Sequence, residues 1–294
     1  MVVVIDWNRP METTECLRSL RDSHYPNQWV VLVDNGSDDP RESEYRTVLP
    51  ELICRRLQRN VGFAAGCNAG IAVARELEAD YVLLLNNDAE VAPDAIGRLV
   101  NCAEENPSFC ALTAAVYSHQ ERRSLWHAGA RTSIVWPFAR QIREQELGAP
   151  EPVPIDFATG CALLLRMDAI EVVGELDERY FMFSEDNDLC MRMRKAGFRI
   201  GSVPSALVWH RVPSSVDENS PARAWLKSRS RLLYFRTHAR GLSWLPAGAS
   251  TLVYLARQII AGALRGHWDV VGSIVAGCFG NSDPAAQLGR RRIQ

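Results

Sequence analysis

Four short apolar runs, at residues 2–5, 29–33, 52–57 and 81–85, are separated by amphipathic stretches near 12–22, 65–77 and 93–105, and this alternation constrains the fold more than any other feature. Runs of that length suit buried strands, and the apolar positions between them recur at helical spacing. The pattern predicts an α/β chain in which strands and helices take turns around a mostly parallel sheet. Pro93 suits the first turn of the third helix. Three of the runs end in a polar turn: Asp6-Trp7-Asn8, Asp34-Asn35-Gly36-Ser37-Asp38-Asp39 and Asn86-Asn87-Asp88. Open α/β sheets bind ligands at the carboxyl ends of their strands, where these turns are expected to lie.

The pattern loosens after residue 105. Residues 148–154 hold Pro150, Pro152 and Pro154 and predict an exposed connection. Beyond it the apolar pattern predicts a buried strand over 161–165, helices over 167–173 and 185–196, and short strands over 199–203 and 206–209. Single cores stop growing at about 250–300 residues, so 294 residues allow one large core or two smaller ones.

Charge separates the chain's two ends. Lys and Arg total 33 against 35 Asp and Glu, which gives no electrostatic case for nucleic acid. Residues 219–294, however, carry eleven basic residues and only Asp269 and Asp283 as acids. From 219 to 268 there is no acid at all, and the cations alternate with Trp225, Leu226, Leu232, Leu233, Tyr234 and Phe235. A basic amphipathic helical region is expected, suited to an anionic membrane surface or to the acidic body of the same chain. Its longest uncharged run, 241–256, is short of the roughly 20 residues of a bilayer span and contains Pro246, so no transmembrane helix is expected. The eight cysteines show no paired or metal-finger spacing and are read as reduced thiols. Residues 2–5 follow Met1 without a basic segment, so no cleaved leader is expected and the cytoplasm is the default compartment.

Several constellations could carry chemistry. Asn86-Asn87-Asp88 sets oxygen ligands at the end of a strand, which suits magnesium or manganese when a diphosphate completes the shell. Such a turn can equally do no more than satisfy its own backbone. His210 closes the apolar run 206–209 and is either a further ligand or a packed strand-end residue. Ser184-Glu185-Asp186-Asn187-Asp188 opens a helix, where Ser184 or an acid could cap and acids favour the dipole. It also follows the aromatic run 180–183, and a carboxylate desolvated there gains the basicity of a general base. Gly62, Gly66 and Gly70 have helical spacing, not that of a dinucleotide loop. They read as close helix packing or as a helix start near a nucleotide, with Arg59 and Asn60 facing phosphate.

Taken in order, Trp7-Asn8-Arg9-Pro10, Val33-Asp34-Asn35-Gly36-Ser37, the segment from Arg59 through Asn60, Gly62 and Gly66 to Asn68, Leu85-Asn86-Asn87-Asp88, Thr159-Gly160-Cys161, the segment from Glu175 to Phe181, and Glu185-Asp186-Asn187-Asp188 resemble glycosyltransferase family 2. The resemblance covers about residues 1–212, and within the family it is nearest to bacterial rhamnosyltransferase-like enzymes of surface polysaccharide and cell-wall assembly. It implies a GT-A fold, a Rossmann-like mixed sheet flanked by helices. The expected division is a catalytic domain over 1–212, with a nucleotide-sugar half at 1–105 and an acceptor half at 106–212, followed by a helical extension over 213–294.

The resemblance further implies an inverting, metal-dependent transfer from a dTDP- or UDP-sugar to a glycan or lipid-linked acceptor. Asp34 would hold the nucleobase, and Asn8, Arg9, Asn35, Gly36, Arg59, Asn60, Gly62, Asn68 and Asn87 would complete nucleotide binding. Asp88 and His210 would bind Mn or Mg, Asp186 would be the base with Glu185 as second choice, and Thr159 and Gly160 would meet the acceptor. Asn86 stands where many relatives carry the first acid of a D-x-D motif, and Asp6 where a neutral residue is expected. A non-catalytic nucleotide-sugar-binding subunit and a nucleotidyltransferase are the alternatives. The expected location is cytoplasmic, on the inner face of the plasma membrane.

Overall fold

The computed structural model describes residues 1–133, 136–148, 150–211 and 220–279. Two compact units emerge. The first comprises Met1–Arg131, Gln141–Asp177 and Asp186–Val212, and the second Thr132–Arg140, Glu178–Glu185 and Pro213–Gln294. The expected boundary at 212, and Asp283 with the Arg290-Arg291-Arg292 cluster, lie outside the described residues.

The strands are β1 (Val2–Asp6), β2 (Val30–Asp34), β3 (Ile53–Arg56), β4 (Tyr81–Asn86), β5 (Ala89–Val91), β6 (Phe109–Ser118), β7 (Leu125–His127), β8 (Ala130–Ser133), β9 (Trp136–Gln141), β10 (Val153–Ile155), β11 (Ala162–Arg166) and β12 (Arg199–His210), all of the first unit except the end of β8 and β9 up to Arg140, which belong to the second. Ten of these strands form one sheet along the path β10-β12-β6-β11-β4-β1-β2-β3, with β5 pairing β12 and β7 pairing β6. Strands β3, β2, β1 and β4 run parallel, and β11 enters antiparallel between β4 and β6. Around them lie α1 (Pro10–Arg21), α2 (Glu42–Val48), α3 (Phe63–Glu76), α4 (Ala95–Glu105), α5 (Met167–Val173) and α6 (Glu185–Lys195).

Burial on both faces explains why the first strands read as unbroken apolar runs. Val2 and Val4 pack with Leu17 and Leu20 of α1, while Val3 and Ile5 point the other way, into the cluster holding Cys67 and Ile71 of α3. The α3 glycines divide between the two roles open to them. A Cβ on Gly70 would stand 2.2 Å from Val3 Cγ1 and one on Gly66 3.2 Å from Ile5 Cγ2, so both let the helix close on β1. Gly62 instead begins the helix at φ 95°.

Four expectations change. Pro93 precedes α4 by two residues instead of opening it. The two short strands near the end of the first unit are one, β12, whose register slips between Val203 and Leu207, around Pro204. The connection at 148–154 is not wholly exposed, because Val153 is buried and begins β10. Ser184 has φ 69°, unlike the extended backbone of a capping residue.

The second unit contains α7 (Pro221–His238), α8 (Trp244–Leu264) and α9 (Trp268–Phe279). Ser220 caps α7 through its hydroxyl on the Arg223 N–H (3.2 Å), and Pro221 fills the first turn. The apolar run in α8 is longer than the sequence reading allowed. Pro246 falls in the first turn, where a missing N–H costs nothing, and the helix continues through Arg257. The stretch Gly241–Leu264, 24 residues, is long and apolar enough to cross a membrane by length and composition.

Candidate active site

Parallel pairing of β4, β1 and β2 sets the three polar turns side by side at one sheet edge. Buried Asp6 ties them together. Its carboxylate accepts from Tyr45 Oη (2.8 Å), the Arg9 N–H (3.2 Å) and Asn87 Nδ2 (3.3 Å), and Asn87 also donates to Thr13 Oγ1 (2.8 Å). Burial pushes the Asp6 carboxyl above the usual carboxylate range, while the bond from Tyr45 pulls it back. An acid is accommodated here because it organises the turns. Tyr45, the buried residue of α2, was not foreseen, since nothing in its sequence neighbourhood points 39 residues back to Asp6.

Asn8 links the first turn to the second. Its N–H donates to Ser37 Oγ (3.0 Å), its Oδ1 accepts the Asp38 N–H (2.9 Å), and its buried Nδ2 has no hydrogen-bond partner among the described residues. Asp34 uses Oδ1 to accept the Ser37 N–H (2.8 Å), while its buried Oδ2 makes no hydrogen bond among the described residues and pairs with Arg56 Nε at 3.6 Å. A buried carboxylate oxygen left open in this way suits the imide N–H of a pyrimidine base. Gly36 has φ 76°, and a Cβ there would stand 2.4 Å from the Arg59 backbone, so only glycine lets the second turn meet residues 59–60.

Other expected nucleotide residues hold backbone. Asn35 donates to Asn60 Oδ1 (3.2 Å) and the Gly62 carbonyl (3.1 Å) and accepts the Val61 N–H (3.0 Å). Asn60 Oδ1 also accepts the Gly62 N–H (2.9 Å). Asn68 exchanges two bonds with Leu176, donating to its carbonyl (2.9 Å) and accepting its N–H (3.1 Å). The Arg9 guanidinium pairs with Glu12 (3.0 Å), and Arg59 is exposed.

The antiparallel pair β5–β12 sets His210 opposite Ala89 and so brings it beside Asp88, 122 positions earlier in the chain. His210 Nε2 stands 2.9 Å from Asp88 Oδ1, yet that oxygen makes no aligned hydrogen bond among the described residues. Asn86 Nδ2 lies 3.2 Å from the same Nε2. One ring nitrogen of His210 thus faces both the Asn86 amide and the Asp88 carboxylate, and which of the two it bonds depends on its tautomer. A carboxylate oxygen and an imidazole nitrogen so placed could hold a divalent cation, since 2.9 Å is close to the spacing of about 3 Å between neighbouring ligands at roughly 2.1 Å from an octahedral ion. Among the described residues, no cluster of three His, Cys, Asp or Glu side chains completes such a site. The ring of half-exposed Trp126 lies 4.7 Å from that of His210, a neighbour the sequence reading missed. On the same strand, His127 Nδ1 accepts the Gly129 N–H (3.0 Å), and burial lowers this imidazole to about 4, keeping it neutral.

The Asn86 N–H donates to the Cys161 carbonyl (3.0 Å), which joins this turn to the one before β11. There Asp186, in the first turn of α6, receives the Gly160 N–H on Oδ2 (3.2 Å) and its neighbour Asn187 N–H on Oδ1 (2.8 Å). Thr159 adds a side-chain hydrogen bond, while burial raises the Asp186 carboxyl above its ordinary range. Glu185 is buried. The segment leading into the helix holds Phe181, Phe183 and Ser184 at φ 64°, 70° and 69°, a concentration of left-handed backbone that characterises functional sites. All eight cysteines are free.

The family description "Glycosyl transferase family 2" matches residues 1–174. The chain is 28% identical over 249 residues to an N-acetylglucosaminyl-diphospho-decaprenol L-rhamnosyltransferase of Mycobacterium tuberculosis, covering 76% of this chain and 81% of that protein. It is 21% identical to the dTDP-rhamnosyl transferase RfbF of Shigella flexneri, covering 80% and 79%. Among solved structures, the mannosyltransferase PcManGT of Pyrobaculum calidifontis, in complex with GDP-Man and Mn2+, aligns at a TM-score of 0.58 and 17% identity over 98% of this chain and 77% of that one. GalNAc-T7, solved with UDP, GalNAc and Mn2+, aligns at 0.63 and 15% identity over 80% of this chain, which spans 47% of its length. The chain belongs to glycosyl transferase family 2 and is a GT-A glycosyltransferase that uses a nucleotide-sugar donor.

Proposed function

We propose that the chain is an inverting, divalent-cation-dependent glycosyltransferase that moves a hexose, rhamnose first among the candidates, from a dTDP- or UDP-sugar to a hydroxyl of a lipid-linked glycan in surface polysaccharide assembly. The observation that carries this reading is the convergence of Asp88, His210 and Asn86 beside the turns of Asp34 and Asp186. Asp34 Oδ2 accepts the base imide, and Asn8 and Gly36 shape that pocket. Arg9, Arg59 and the α3 start at Gly62 face the phosphates. Asn35, Asn60, Asn68 and Asn87 serve through the turns they brace.

Asp88 and His210, with Asn86 at the same edge, would hold Mn or Mg, whose charge offsets that building on the departing diphosphate. Asp186 takes the proton of the acceptor hydroxyl, with buried Glu185 next to it in sequence. The hydroxyl oxygen bonds the anomeric carbon as the bond to phosphate breaks on the opposite face, and the electron pair leaves with the diphosphate. A single displacement inverts the centre. Thr159 and Gly160 hold the base and border the acceptor. Incubating the full chain with a panel of dTDP-, UDP- and GDP-sugars, with and without Mn2+, on an N-acetylglucosaminyl-diphospho-polyprenol acceptor tests the reading. An inverted glycoside formed from a dTDP- or UDP-sugar only with the cation is expected, and a retained anomer or a cation-independent product contradicts it.

The second unit would keep the enzyme at the membrane that carries such an acceptor. Leu242, Trp244, Leu245, Leu252, Leu264, Trp268 and Phe279 are exposed on its helices, which carry no acid before Asp269. Each basic residue near an anionic surface adds about 1 kcal/mol, and shallow burial of the apolar face adds to that. The chain is expected to float with phosphatidylglycerol vesicles at low salt and less so at high salt. No flotation at low salt contradicts membrane docking, and retention through an alkaline wash would assign Gly241–Leu264 as a span.

A further inference from the structure

Gly277 of α9 closes on α7 so tightly that a Cβ there would stand 2.3 Å from Ser228 Oγ and 2.5 Å from the Trp225 carbonyl. Toward the α8–α9 turn the three helices leave a recess of about 80 Å³, room for roughly five or more waters. Lys227, Arg265 and His267 line it, with Leu255, Val270 and Ile274 forming apolar wall, and no carboxylate is among the lining side chains. Adjoining its lining residues Ala261, Arg265 and His267 in sequence, Ile260, Leu264 and Trp268 are exposed at 58%, 84% and 68%. Cations in a recess next to a solvent-facing apolar strip match an anion joined to a hydrocarbon chain.

One lining residue, Lys227, also meets the segment that leads to the base. Lys227 Nζ stands 5.5 Å from the centre of the Phe183 ring and the Arg223 guanidinium 5.2 Å, while Phe181 is buried against Trp225 and Leu226. Arg229 donates to the Arg179 carbonyl (2.7 Å) and Ser230 Oγ to the Met182 carbonyl (3.0 Å). The helix that supplies a cation to the recess therefore also grips the chain just before Glu185 and Asp186.

We propose that this recess, formed by Lys227, Arg265 and His267 among the C-terminal helices, binds the phosphate of a polyprenyl-diphosphate-linked acceptor, with the prenyl chain along Ile260, Leu264 and Trp268. The inference rests on the proposed transfer to a lipid-linked glycan and adds a binding site to it. The prenyl anchor is held on the α7–α9 unit, so Phe183 and the following residues sense its occupancy.

Calorimetric titration of the full chain with farnesyl diphosphate, in EDTA and with the nucleotide site saturated by UDP, tests the recess apart from the active site. Farnesyl diphosphate is expected to bind at least tenfold more tightly than either pyrophosphate or farnesol. Lys227→Gln with Arg265→Gln should lower its affinity about tenfold or more, as removal of two interfacial charges implies. The exposed Arg265→Gln alone should give a smaller loss, and unchanged UDP affinity shows that each variant is folded. In Arg265→Gln, whose side chain lies away from the Phe183 segment, transfer to a soluble acceptor lacking the lipid diphosphate should stay at the unmutated rate, so a chain inactive on every acceptor fails the functional reading without touching this one. Equal binding by the variants overturns the proposal, as does displacement of farnesyl diphosphate by phosphatidylglycerol vesicles, which would assign the recess to bulk anionic lipid.

Discussion

Asp186→Asn is expected to lower kcat by roughly 10²–10⁴-fold while leaving nucleoside diphosphate affinity within about twofold of the unmutated protein. The amide keeps the volume and can still accept the Gly160 N–H, at 3.2 Å in the native chain, but it cannot take a proton from the acceptor. The pH profile separates loss of a base from general damage. Burial raises the Asp186 carboxyl, opposed by the Gly160 and Asn187 N–H groups and the Thr159 side chain, which favour its charged form. A base must be deprotonated to act, so kcat of the native enzyme should fall as pH drops through a value above the ordinary carboxylate range. That acid limb should vanish in Asp186→Asn, whatever its residual rate. Near-normal transfer by Asp186→Asn, with a dead Glu185→Gln, would move the role to Glu185.

Much of the fold over residues 1–105 was legible because its strands are buried on both faces, and residues 2–5 and 81–85 therefore appear as unbroken apolar runs. Turn composition pointed to the carboxyl ends of these strands for the same reason, since Asp34, Asn86 and His210 each follow such a run. What escaped was short, half-polar or set by distant pairing. Helix α2 has seven residues and buries only Tyr45, too little for an apolar period. Strand β6, with its alanines at 111, 114 and 115, reads as readily as helix, and Pro204 split β12 into two runs. The spacing of α3's glycines could not say which glycine packs and which begins the helix, because that depends on Val3 and Ile5 lying beneath. Asp6 looked anomalous for want of Tyr45, Arg9 and Asn87, which converge on it only through the sheet order. The length of α8 was misjudged because one arginine and one first-turn proline were taken as interruptions.

Asp88→Ala and His210→Ala should each weaken Mn2+-dependent binding of UDP or dTDP by about tenfold or more, and leave binding of the bare nucleoside, which depends on Asp34, unchanged. The reason is the geometry at the β5–β12 edge: an imidazole nitrogen and a carboxylate oxygen 2.9 Å apart, with no aligned hydrogen bond to that oxygen among the described residues. Two ligands of one ion act as a unit, so the double variant should be little worse than the more damaging single one. Were His210 only packing against Trp126, its loss would lower stability and leave the cation dependence intact.

The most direct test of the account is therefore one calorimetric cycle: nucleoside diphosphate titrated into the native chain, Asp88→Ala, His210→Ala and the double variant, each with Mn2+ and with EDTA. A cation-dependent affinity in the native chain, lost non-additively in the variants, is the predicted result. An affinity indifferent to Mn2+ in the native chain, or additive losses in the double variant, would contradict a single shared site.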